Sequence, residues 1–126
     1  MNLSILPDLL AVCRLEPNSS VPDWAVVSDF WSVTRTLDEL SLVCLRQNVP
    51  DGVQCEADWR ALKVEGPLDF ALIGILADLS GALAQAKISL FAISTYDTDY
   101  LLVRADKLDA AVAALRAAGH NVEGGF

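Results

Sequence analysis

The 126 residues are 53% hydrophobic and 21% charged, and nine Lys and Arg against 17 Asp and Glu leave a formal net charge of −8. So apolar a chain, with only seven Gly and five Pro, has surface to bury against the entropy of ordering, which excludes a disordered or low-complexity polymer and fits one globular unit or two very small ones sharing a core. Scattered single cations on an acidic chain make no patch for phosphate, so neither nucleic acid nor membrane is an expected partner.

The segment Met1 to Val12 lacks a positively charged n-region and is broken by Pro7 and Asp8, so it does not read as a secretory signal. Residues 9–15, 30–35 and 41–46 read as strands, the last two alternating with the period of a half-buried hairpin. The helices that would connect them are poorly marked. Pro17, Pro22 and Asn18-Ser19-Ser20 interrupt the first, and Pro50-Asp51-Gly52 the second, leaving room for short turns. Thr36-Leu37-Asp38-Glu39 has capping-box spacing, but a strand-like run follows at once, so it reads as a turn.

From Arg60 the punctuation becomes regular. Residues 61–65 alternate as a strand with one wet face, and Gly66-Pro67 ends it. A helix follows, with Leu72, Leu76, Leu79 and Leu83 on one stripe and Asp69 as N-cap or first-turn carboxylate. The longest apolar run, 70–77, stops at Asp78 and falls short of the roughly 20 residues a spanning helix needs. Residues 88–95 and 100–103 read as a hairpin about the Tyr96-Asp97-Thr98-Asp99 turn. A second helix is expected with Asp106 as N-cap, Asp109 in the first turn, Leu108, Val112 and Leu115 as its stripe, Arg116 near its C-terminus and Gly119 as a left-handed stop. A short strand over 121–123 closes the chain. The second half thus runs strand, helix, strand, strand, helix, strand, the ferredoxin-like order of four antiparallel strands with both helices on one face. The first half reads as a weaker copy, which gives an α+β chain of two related units, 1–59 and 60–126. Trp24, Trp31 and Trp59 fall in the first, where they are expected to fill a thin core rather than an interface.

Little in the sequence points to catalysis. Cys13, Cys44 and Cys55 are odd in number and without CxxC spacing, which favours neither a disulfide framework nor a zinc site and fits a reducing cytoplasm. His120 follows a helix-stopping glycine, no nucleophile-elbow, zincin, P-loop or dinucleotide motif is present, and no acid–base carboxylate pair stands out. No cofactor and no metal are expected. Ser94-Thr95-Tyr96-Asp97-Thr98-Asp99-Tyr100 is the unusual stretch: hydroxyls, two aromatics and two carboxylates in one turn offer acceptors for an ammonium or guanidinium and donors for a carboxylate. Such residues also build ordinary turns. If the helix after Gly66-Pro67 starts near Ala71, its free N–H groups would hold a carboxylate, and a zwitterion would suit both ends.

These residues carry a resemblance. Leu68-Asp69-Phe70, Ile73-Gly74-Ile75-Leu76, Leu79-Ser80-Gly81-Ala82-Leu83-Ala84, Ile88-Ser89-Leu90 and residues 93–103 together resemble an ACT domain, more narrowly that of small bacterial tandem-ACT proteins and CASTOR-type arginine sensors. The stretches 30–36 and 39–44 resemble the N-terminal unit of the same proteins, with reduced helices. The resemblance implies two ferredoxin-like βαββαβ units side by side and a non-catalytic regulatory or sensing role. It further implies an amino acid or similar small effector at the seam between units. By position, the seam would use Ser41, Leu42 and Val43, then Ile73, Gly74, Ile75 and Leu76, with Thr95, Tyr96, Thr98 and Asp99 completing it. The aspartate at the position of Asp99 helps hold a basic ligand in the arginine sensors, which admits a cationic amino acid here. The 126 residues carry no enzyme or DNA-binding segment to regulate, so signalling is expected through a protein partner or through a homodimer. The alternative reading is a dimerisation or interaction module with no small-molecule ligand.

Overall fold

The computed structural model describes residues 1–66, 68 and 73–124. In chain order the elements are β1 (Asn2–Ile5), β2 (Leu10–Leu15), β3 (Ser32–Arg35), β4 (Leu40–Leu45), β5 (Cys55–Val64), α1 (Ile75–Gln85), β6 (Phe91–Ser94), β7 (Asp99–Arg104), α2 (Leu108–Ala117) and β8 (Asn121–Gly124). Single 3-10 turns stand at Asp23–Ala25, Arg46–Asn48 and Ala105–Lys107. The chain forms two compact units, Asp8–Trp59 and the combination of Met1–Pro7 with Arg60–Phe126.

In the unit Asp8–Trp59 the strand order is β3-β4-β2-β5, antiparallel throughout. This is the ferredoxin-like order, with a 3-10 turn where each helix would be, because Pro17, Pro22 and Pro50 leave no run long enough to nucleate a helix. Ala11, Cys13, Leu40, Leu42 and Cys44 project from β2 and β4 into one cluster with Ala25, and Trp24, Val26, Val33, Val49 and Val53 pack against it. Trp24 fills this core, Trp59 is buried and Trp31 stands half exposed. The β2/β5 register shifts between Leu10 opposite Trp59 and Val12 opposite Glu56. The extra residue makes a bulge, and Asp58 takes it up in the left-handed region at φ 66°, its carboxylate 2.7 Å from the Arg46 guanidinium.

The other unit is an α+β sheet in the order β6-β7-β5-β1-β8. One strand is new relative to the sequence reading. A division at Arg60 leaves residues 2–5 with the first half, yet β1 inserts between β5 and β8, antiparallel to the first and parallel to the second, so a fifth strand joins the expected four. Leu3 and Ile5 are buried on one face with Ser4 between them, an alternation too short to show as a period. Leu79 and Leu83 of α1 and Leu108, Ala111, Val112 and Leu115 of α2 bury against Leu62, Val64, Leu101 and Val103.

The last helix begins differently from expectation. Asp106 lies inside the 3-10 turn and Lys107 occupies the N-cap position without a side-chain cap, the tight turn itself engaging the first backbone groups. Asp109 and Arg116 sit in the first and last turns as expected, Arg116 donating to the Val122 carbonyl at 2.7 Å, and Gly119 stops the helix at φ 95°. The strand expected over 88–95 is confined to Phe91–Ser94. Asp69, Ala71 and Leu72 lie outside the described residues.

One turn occurs in both units. The Thr36 N–H donates to the Glu39 carbonyl at 2.9 Å, and the Thr36 hydroxyl accepts the N–H groups of Asp38 and Glu39. In the β6/β7 hairpin the Thr95 N–H donates to the Thr98 carbonyl at 2.8 Å and the Thr95 hydroxyl accepts the Thr98 N–H. Threonine opens both loops and an aspartate is third in both, with an exposed Leu37 or Tyr96 at the tip.

Candidate functional site

A cavity of about 310 Å³ opens between the start of α1 and the β6/β7 turn, lined by Leu68, Gly74, Ile75, Leu76 and residues 94–99. Several contacts fix its walls. The Leu68 N–H donates to the Asp97 carbonyl at 2.7 Å, and a Cβ at Gly66 would stand 2.9 Å from the Leu68 nitrogen and 3.1 Å from the Asp97 oxygen, so only glycine permits this approach. The Thr98 hydroxyl, 4% exposed, donates to the Val64 carbonyl at 2.5 Å and ties the turn to β5. Ser94 and Asp99 are opposite one another in the hairpin register, and the Ser94 hydroxyl donates to Asp99 Oδ1 at 2.5 Å.

The helical wall begins at Gly74, which sits at φ 80° as N-cap without a side-chain hydrogen bond, so α1 starts at Ile75. The first N–H groups of any helix lack intrahelical partners, and Gly74 has no side chain to cap them, which gives the cavity a positive rim at one side. Asp97 and Asp99 supply the opposite sign. Such a cavity suits a small molecule bearing both charges.

Of the residues expected at a site, Gly74, Ile75, Leu76, Thr95, Tyr96, Thr98 and Asp99 come together at this cavity. Ile73 is 92% exposed and outside its lining, as are Ser41, Leu42 and Val43, which lie in β4, paired with β2 and β3, with Leu42 and Val43 buried. Ser94 and Asp97, singled out by the composition of the turn and not by the resemblance, line it too, and Leu68 lines it beyond both readings. Ser94 is recoverable from the hairpin register, which places it opposite Asp99. His120 Nδ1 lies 3.0 Å from the Met1 amine, and among the described residues no three His, Cys, Asp or Glu converge as a metal site.

Residues 54–117, half of the chain, match a family model described as an ACT domain. The chain belongs to the ACT-domain family. A second model, for an N-terminal domain, matches residues 8–52. The cytosolic arginine sensor for mTORC1 subunit 1 of Homo sapiens is 39% identical over 59 residues, 46% of this chain and 18% of that sensor, and the Mus musculus sensor is 37% identical over the same length. This ACT protein therefore spans less than one fifth of the length of the curated relatives it matches. A solved structure from Agobacterium tumefaciens superposes with a TM-score of 0.93 at 36% identity, covering 99% of this chain and 93% of that one. The regulatory subunit of aspartate kinase from Thermus flavus superposes with a TM-score of 0.64 at 10% identity over 92% of this chain and 95% of that one, a likeness of fold. No described helix is long and apolar enough to cross a membrane.

Proposed function

We propose that this ACT protein is a non-catalytic regulatory protein that senses an amino acid with a cationic side chain in the cavity between α1 and the β6/β7 turn. The observation that carries the reading is the pairing of the helix start, Gly74 to Leu76, with the carboxylates of Asp97 and Asp99 across one cavity. The ligand carboxylate would meet the helix N–H groups, and Asp99, oriented by Ser94, would take the ammonium or the cationic side chain. Ile75 and Tyr96 would supply apolar walls. The similarity to arginine sensors supports this reading.

A homodimer in the cytoplasm belongs to the same proposal. Strand β6 pairs only with β7 among the described residues and carries no charge, and Ile73 and Tyr96 stand 92% and 81% exposed beside the cavity. The bound state would pass to a protein partner or to the dimer itself.

The test is a thermal-unfolding screen of the whole protein against the common amino acids at millimolar concentration. Ligand at about 100 times its dissociation constant stabilises by roughly 2.7 kcal/mol, a shift of several degrees. A selective shift by a cationic amino acid, weakened about 10–100-fold in Asp99→Asn while neutral amino acids are unaffected, is the expected result. Equal losses for cationic and neutral ligands would remove the role given to Asp99. No shift with any amino acid would move the function to an interaction module without a small-molecule ligand.

A further inference from the structure

The three thiols, set aside by the spacing argument, are gathered by the fold of the unit Asp8–Trp59. Cys13 and Cys44 project into one cluster from β2 and β4, at 1% and 0% exposure, while Cys55, the first residue of β5, is exposed. Cys44 and, more weakly, Cys55 act on the Cys13 thiol. In the β2/β5 ladder Cys13 stands directly opposite Cys55.

The kind of pair matters. The Arg14 N–H donates to the Gln54 carbonyl at 2.9 Å, which makes 14 and 54 a hydrogen-bonded pair and the adjacent Cys13 and Cys55 a non-hydrogen-bonded one. At such positions Cα atoms are about 4.5 Å apart and side chains come closest, within the roughly 4.4–6.8 Å that a disulfide spans. Cys44 is opposite Ala11, hence diagonal to Cys13, and diagonal neighbours lie about 7–8 Å apart, beyond that span. Cys44 and Cys55 are on strands that β2 separates.

We infer that Cys13 and Cys55 form a reversible cross-strand disulfide, with Cys55 the sulfur that meets the oxidant and a low-molecular-weight disulfide such as oxidised glutathione the oxidant. The Cys55 thiolate attacks one sulfur of that disulfide and displaces a glutathione thiolate. Cys13 then attacks the Cys55 sulfur of the mixed disulfide, and its proton goes to the second departing glutathione. Two protein thiols are oxidised by two electrons and one glutathione disulfide is reduced to two thiols, while Cys44 remains a thiol. The order of events follows from access, since only Cys55 is open to solvent. It is reinforced because the hydrogen bond to Cys44 and burial push the Cys13 thiol well above its ordinary range, so Cys13 waits for an activated neighbour.

The experiment incubates the full chain with oxidised glutathione, quenches with a maleimide, and reads intact mass and linked peptides. The expected product carries one alkylated thiol and a Cys13–Cys55 linked peptide, has its unfolding temperature raised by several degrees, and reverts with dithiothreitol. Cys44→Ala is expected to form the same link, and Cys55→Ser, changed at an exposed position, to keep both remaining thiols. Three alkylated thiols, a glutathione adduct that persists on Cys55, a Cys13–Cys44 link, or a Cys55-linked dimer would each overturn the inference.

Discussion

Thr98 is the one buried polar side chain among the described residues, and Thr98→Val tests whether its hydroxyl positions the cavity. Valine keeps the shape and removes the donor to the Val64 carbonyl. A typical internal hydrogen bond contributes about 0.5–1.5 kcal/mol net, and a buried partner left without a bond costs about 1–3 kcal/mol. We therefore expect a loss of about 1–2 kcal/mol, which for a chain of this size is a fall of about 4–8 °C in Tm. Thr98→Ser separates shape from bonding, because it retains the donor and loses one methyl, about 0.8 kcal/mol if that group is fully buried. Thermal unfolding followed by circular dichroism, alongside urea titration, gives the comparison. A Thr98→Val protein as stable as the parent, or a Thr98→Ser protein less stable than Thr98→Val, would refute the role given to the hydroxyl.

Other positions give sharper contrasts. Gly66→Ala places a Cβ 2.9 Å from the Leu68 nitrogen and should cost about 1–3 kcal/mol in urea titration while loosening the cavity wall. Leu83→Ala removes a fully buried side chain of α1 and is expected to cost about 2–5 kcal/mol, read as a lower urea midpoint. At the bulge, Asp58→Ala and Asp58→Gly lose the same ion pair with Arg46, so their difference isolates the backbone. Glycine should be the more stable variant by about 1 kcal/mol because the position sits at φ 66°.

How much of this was legible in the sequence depends on how far each signal extends along the chain. Helix α2 announced itself because Leu108, Val112 and Leu115 repeat at helical spacing over about two turns and Gly119 marks its end. Its N-cap did not, since Asp106 has the right chemistry and only the backbone decides whether it caps or joins a 3-10 turn. Strand β1 carries only two buried residues, Leu3 and Ile5, and its place between β5 and β8 is a long-range pairing that no local pattern encodes. The cavity turn was recognisable by composition, but Thr98 and Asp99 look alike in sequence. The pleat buries one against β5 and turns the other toward Ser94. The thiols were set aside because separations of 31 and 11 residues from Cys13 to Cys44 and from Cys44 to Cys55 follow no motif. Strand pairing, not sequence distance, brings them together.

The twice-used turn reaches further than either hairpin. Two loops in separate units share an opening threonine, a third-position aspartate and the same first hydrogen bond, so the turn is built by its own few residues and not by the unit around it. The two differ most at the fourth position, which is Glu39, partly buried, in one and Thr98, buried and bonded to Val64, in the other. Since Glu39 leaves the same backbone hydrogen bond in place, the turn needs nothing from the side chain at that position. A loop that holds its own shape leaves its fourth position free, and in one unit that position anchors the wall of a cavity.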